Sequence, residues 1–196
     1  SILYKKNAIR NVYLFVMSLF FYYKTGGHFF FLLIFSTIVD YTLGNLIYSS
    51  PRQWKKKLFV ALSVIVNLGL LSYFKYSYFF TDLINKFFHT DFEVIDWLAL
   101  WTNELTGSSF DISTIILPVG ISFYTFQTIS YTVDIYRKKT KPVKNILDFG
   151  FYVSFFPQLV AGPIVRASEF VPQLYQKFKL TVREFSHALF LIINGL

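Results

Sequence analysis

The chain is 196 residues long, 54% hydrophobic and 21% aromatic, with 25 Phe, 14 Tyr and no cysteine. That load of apolar and aromatic side chains exceeds what a water-soluble domain of this length buries, and the lack of cysteine excludes disulfides and thiolate metal sites. The net charge of +8 falls in clusters between apolar runs, with no basic patch interleaved with base-stacking aromatics, so it reads as loop charge of a membrane protein and not as a nucleic-acid surface.

Lys5, Lys6 and Arg10 precede an apolar run at 12–23. That run is short for a hydrocarbon core that takes about 20 helical residues to cross. Thr25-Gly26-Gly27 makes a turn. Residues 28–48 are long enough to span and carry Asp40 and Asn45; Ser49-Ser50-Pro51 ends them before Arg52, Lys55, Lys56 and Lys57. Residues 58–80 form the next span, with Asn67 inside and Lys75 near enough to the end to snorkel. Residues 81–116 hold six of the eleven acidic residues, and 95–105 read as an interfacial helix with Trp97 and Trp101 on one face.

Residues 117–136 are a further span, followed by Arg137, Lys138, Lys139, Lys141 and Lys144. Residues 148–170 are apolar but broken by Pro157, Gly162 and Pro163. Proline removes a backbone donor and clashes with the preceding turn, and open backbone at membrane depth is tolerated only against protein or a polar cavity. A short polar stretch at 171–179 leads to a last helix from Thr181, a plausible N-cap with Glu184 as its reciprocal partner. Placing Lys5/Lys6/Arg10, Arg52/Lys55/Lys56/Lys57, Arg137–Lys144 and Arg166/Lys177/Lys179/Arg183 in the cytoplasm collects sixteen of the nineteen Lys and Arg there. Residues 81–116 then lie outside, and 148–170 enter and leave on the cytoplasmic side as a re-entrant element. The expected fold is an all-α polytopic membrane protein with about 4–5 transmembrane helices, the re-entrant element and an interfacial helix. Ser1 is not an initiator methionine and the apolar pattern runs to Leu196, so the expectation is one N-terminal part, 1–196, of a larger domain.

Gly120, Tyr124, Gln127, Tyr131 and Asp134 are spaced 4, 3, 4, 3 and share a helical face. Such a face is either a packing seam or the wall of a polar tunnel. Asp40 reads as paired with a basic residue or as an acceptor of backbone donors. Gln158 sits where the broken backbone needs partners, and Arg166 faces headgroups or an anionic group. His28, His89 and His187 lie in no catalytic or metal-binding spacing, and no phosphate loop or nucleophile elbow is present. The candidates to line a tunnel or substrate site are Gln127, Tyr131, Asp134, Gln158 and Arg166.

The run Leu117-Pro118-Val119-Gly120-Ile121-Ser122-Phe123-Tyr124-Thr125-Phe126-Gln127, continued by Ser130-Tyr131-Thr132-Val133-Asp134-Ile135-Tyr136-Arg137, resembles the membrane-bound O-acyltransferase family. So do Phe155-Phe156-Pro157-Gln158-Leu159-Val160-Ala161-Gly162-Pro163-Ile164-Val165-Arg166 and Tyr73-Phe74-Lys75-Tyr76, in the same order and spacing as the alginate O-acetyltransferase membrane subunit branch. The resemblance implies a bacterial inner-membrane, multi-pass enzyme. It would move an acetyl group from a cytoplasmic donor such as acetyl-CoA to a hydroxyl of an extracytoplasmic polysaccharide, with periplasmic or extracellular partner proteins and no bound cofactor or metal. It also implies a catalytic histidine in a region after Leu196, so no catalytic residue is expected in this chain. The alternatives are D-alanyl transfer to teichoic acid, acetylation of peptidoglycan or cellulose, a transporter or channel, and a nonenzymatic export scaffold.

Overall fold

The computed structural model describes residues 7–26, 29–107, 109, 111–175 and 181–195. Lys5, Lys6, Gly27, His28, Lys177 and Lys179 lie outside the described residues. Among the described residues all secondary structure is helical: α1 (Asn7–Gly26), α2 (Phe30–Ser49), α3 (Gln53–Leu71), a π-helical turn (Ser72–Tyr76), α4 (Ser77–Phe88), α5 (Trp97–Thr106), α6 (Ile121–Tyr136), α7 (Ile146–Ser154), α8 (Phe156–Ala161), α9 (Ala167–Gln173) and α10 (Val182–Gly195). Two of these are long and apolar enough to cross a membrane, Phe30–Ser49 and the continuous Gln53–Phe88.

Helices recur where apolar runs were read, with shifted ends, whereas Thr25 and Gly26, read as part of a turn, are the last residues of α1. The helix read at 58–80 starts at Gln53 and continues past Phe80 through the π-helical turn to Phe88, because no Pro or Gly interrupts 70–88. His89, in the left-handed region at φ 53°, ends it. The helix read at 117–136 starts only at Ile121. Pro118 has no N–H to donate, and Gly120 takes φ 74°, a conformation glycine adopts without a Cβ penalty. Its 16 residues are roughly 24 Å long by the helical rise, shorter than a bilayer core. The reciprocal cap at Thr181 is present: the Thr181 N–H donates to Glu184 Oε2 at 2.8 Å, and the Glu184 N–H donates to Thr181 Oγ1 at 3.3 Å.

Helix α6 occupies the centre, flanked by α2, α3 and α7, while α1 covers α7. The buried stripe of α2 runs Leu33, Ser36, Thr37, Asp40, Leu43, Gly44 and Ile47, a 3.6-residue repeat. Gly44 is required by the approach of α6: a Cβ there would lie 2.8 Å from Tyr131 Cε1. The outward faces of α2 and α3 expose Phe31, Phe35, Ile38, Leu62 and Ile65, an apolar surface. Helix α5 is held by Asp96, whose carboxylate accepts from Leu98 N and Ala99 N and from the Tyr73 hydroxyl at 2.7 Å. Trp97 and Trp101 stay exposed on the face the sequence assigned to them.

Candidate functional site

A helix broken at Phe155 and again at Gly162 leaves carbonyls without intrahelical donors. Side chains of the central seam take up that role. Gln127 on α6 donates its amide N–H to the Tyr152 carbonyl near the end of α7 at 2.8 Å. The Tyr152 hydroxyl donates to the Val165 carbonyl in the extended segment after α8 at 2.9 Å. The Tyr131 ring lies 4.4 Å from that of Phe149, and its hydroxyl accepts from Val143 N at 3.1 Å. Asp134 meets Arg166 at 3.7 Å, where the arginine is half-exposed. Four of the five candidate residues thus tie the broken element and its neighbouring loop to α6.

The fifth, Gln158 on α8, is different. It is buried, and its amide Nε2 has no hydrogen-bond partner. The Tyr124 hydroxyl, Thr125 Oγ1 and Ser154 Oγ share that condition. All four lie on the N-terminal half of α6 or on the α7–α8 break. Unpaired buried polar atoms cost about 1–3 kcal/mol each, so each of the four calls for a hydrogen-bonding partner. Two glycines bring the walls together. A Cβ at Gly120 would lie 3.2 Å from the Leu159 carbonyl oxygen, and one at Gly162 only 2.6 Å from Gln158 Cα. Helix α1 covers this end, with Phe21 stacked on Phe156 at 4.0 Å and the Tyr22 hydroxyl donating to the Val119 carbonyl at 2.7 Å. An amide N–H and three hydroxyls can orient a carbonyl or hydroxyl of a substrate. None of them is placed to act as a general base, and His89 and His187, both exposed, sit on α4's end and on α10.

A second buried polar centre lies between α2, α3 and α6. Asp40 accepts from Ser63 Oγ at 2.6 Å, Asn67 Nδ2 at 2.7 Å and Ser36 Oγ at 3.4 Å. Asn67 Oδ1 accepts from Ser36 at 2.9 Å and Thr128 at 3.1 Å, and Ser63 shares a hydrogen bond with Thr132 at 3.0 Å. Asp40 and Asn67 stood out in the sequence; their partners did not. The overlooked signal is three polar pairs at i,i+4, Ser36/Asp40, Ser63/Asn67 and Thr128/Thr132, one on each helix.

At the far end of α6 a cavity of about 730 Å³ is lined by Lys139, Lys141, Lys144, Ser168, Pro172 and Tyr175, among others. Nearby, Asp148 accepts from Asn11 Nδ2 at 2.8 Å and from the Tyr175 hydroxyl. Burial, and then the Asp148 carboxylate, push Tyr175 up to about 12, so it stays a neutral donor.

The chain is similar to part of several curated O-acetylases and O-acetyltransferases. It is 35% identical to the probable alginate O-acetylase AlgI of Pseudomonas aeruginosa over 165 residues, 84% of this chain and 29% of that protein. Against the same-named protein of Azotobacter vinelandii the identity is also 35%, over 84% of this chain and 30% of the relative. It is 30% identical to the peptidoglycan O-acetyltransferase of Helicobacter pylori over 98% of this chain and 38% of that protein. The chain therefore spans well under half the length of the curated relatives it matches. No family model and no solved structure matches it.

Proposed function

We propose that this chain forms one wall of a membrane-embedded acetyl-transfer path, in a protein that carries an acetyl group from a cytoplasmic donor to a hydroxyl of an extracytoplasmic polysaccharide. The observation that carries the reading is the placement of the family-like segments: α6 packs on α7, Gly120 meets Leu159 of α8, and Tyr124 OH, Ser154 Oγ and Gln158 Nε2 are buried on these elements without partners. These groups would hold a donor or acceptor by hydrogen bonds, with Gln158 donating to a carbonyl oxygen. The proton-accepting histidine of the reaction would be supplied from outside residues 1–196, acting as general base on the attacking hydroxyl. An acyl donor such as acetyl-CoA, periplasmic or extracellular partner proteins, and one larger membrane domain that includes residues 1–196 belong to the same proposal.

In the full-length protein, Gln158→Ala should lower polysaccharide acetylation by about tenfold, the worth of one substrate hydrogen bond to a buried donor, with expression unchanged. Unchanged acetylation would remove Gln158 from the path. The acceptor reading favoured by alginate-type relatives has a rival in peptidoglycan, since the peptidoglycan O-acetyltransferase aligns with 98% of the chain. Acetyl content of isolated peptidoglycan and of secreted polysaccharide, compared between the parent strain and its deletion, separates the two.

The same proposal makes the protein multi-pass in the cytoplasmic membrane. Residues 81–116 then face outward and the 137–144 loop faces inward. A single cysteine at Thr102 should react with an impermeant maleimide on intact cells, and one at Lys139 only after lysis. The opposite pattern would reverse the topology.

A further inference from the structure

Basic residues next to membrane helices usually serve as retention charges and stand in solvent, as Arg52 and Lys57 do here at the start of α3. Lys139, Lys141 and Lys144 between α6 and α7 are exposed as well, but the backbone that carries them is fixed. Lys138 turns through φ 59°, and the Lys139 N–H donates to the Asp134 carbonyl at 2.9 Å. The Val143 N–H is held by the buried Tyr131 hydroxyl, and the Lys144 carbonyl accepts from Tyr41 at 3.0 Å. Contacts from α2 and α6 thus fix a loop whose Lys139, Lys141 and Lys144 line one side of the 730 Å³ cavity. Ala167, Ser168, Val171 and Pro172 of α9, with Tyr175, make the other side.

The surrounding carboxylates do not neutralise these lysines. Asp134 is taken by Arg166, Asp148 accepts from Asn11 and Tyr175, and Glu169 makes no ion pair with them. Among the described residues the ion pairs are Lys86–Asp82 and Arg166–Asp134. Three exposed lysines on a fixed loop beside one concavity give it a positive potential, which a multivalent anion relieves. Lysine binds phosphate as a point charge, and the exposed Ser168 hydroxyl lines the same cavity.

We propose that this cavity binds a phosphate-bearing anion, carried either by an anionic phospholipid headgroup at the bilayer surface or by a soluble phosphorylated ligand. The site is separate from the unpaired cluster at Gln158 and does not depend on the transfer reading. The full-length protein in a neutral detergent at low ionic strength can be titrated with dioctanoyl phosphatidylglycerol and, separately, with inorganic pyrophosphate. At least one probe should bind. Replacing all three loop lysines (Lys139→Gln, Lys141→Gln, Lys144→Gln) should weaken it about a hundredfold, at roughly fivefold per lysine, while Lys55→Gln, Lys56→Gln and Lys57→Gln together should change it by less than about threefold. Ser168→Asp places a negative charge in the wall at the first turn of α9, where a helix accepts it. It should weaken binding with the melting temperature unchanged. Binding of the lipid probe alone assigns the phosphate to a headgroup, and of pyrophosphate alone to a soluble ligand. Failure of both probes to bind, or equal loss in the two lysine triples, overturns the proposal.

Discussion

Asp40→Ala should destabilise the protein by about 2–4 kcal/mol, read from denaturant unfolding in micelles. The carboxylate is buried and accepts from residues on its own helix and on α3. Removing it strands one N–H of Asn67, whose other N–H is already used on the Ser63 carbonyl at 2.9 Å. It also strips the Ser63 hydroxyl of its shortest contact, 2.6 Å. Hydrogen bonds between membrane helices average nearer about 0.6 kcal/mol, because chains in the unfolded membrane state also find partners. The larger figure is expected here because three helices meet in one network whose members are fully buried. Asp40→Asn keeps one acceptor oxygen and should lose about half as much. A loss below about 0.5 kcal/mol for Asp40→Ala would mean that the network does not hold α2, α3 and α6 together.

Gly162→Ala should cost about a hundredfold in acetyl transfer by the full-length protein, out of proportion to its effect on folding. The new Cβ would lie 2.6 Å from Gln158 Cα and 3.2 Å from the Gln158 carbonyl oxygen. Backbone atoms cannot rotate aside as a side-chain tip can, so α8 must move by roughly an ångström, and the Gln158 amide moves with it. The folding cost is that of an overpacked site, about 1–3 kcal/mol. Gly69→Ala is the matching control. A Cβ at Gly69 on α3 would meet no atom within 4 Å, so acetylation and folding should both be retained. If the Gly162 variant keeps activity within about twofold of the parent, the geometry of the α7–α8 break does not govern transfer.

Much of the architecture was legible because membrane helices announce themselves through apolar length, and caps and breaks through residue type. Pro157, Gly162 and Pro163 marked the broken element, and Thr181 with Glu184 marked a helix start. Boundaries were harder. The absence of Pro and Gly from 70–88 lets the helix run on to Phe88, but nothing in 58–80 marks the π-helical turn at Ser72–Tyr76, where Tyr73 reaches Asp96. The polar face Gly120–Asp134 was visible as a spacing, but spacing carries no partner. Gln127 proved to be spent on the Tyr152 carbonyl, whereas Gln158, equally polar in sequence, keeps a donor unused.

By itself the sequence determined that the fold is helical, the order of its helices, where the chain breaks and which polar residues must find company. These follow from local chemistry: transfer free energy, proline's missing donor and glycine's missing side chain. Only the tertiary structure decided who the company is. It set Asp40 among hydroxyls and an amide and not against a cation, and it closed α6 on α8 where Gly120 meets Leu159. It gathered three lysines of one loop around a cavity with α9. Those outcomes depend on contacts between residues far apart along the chain, which no local pattern specifies.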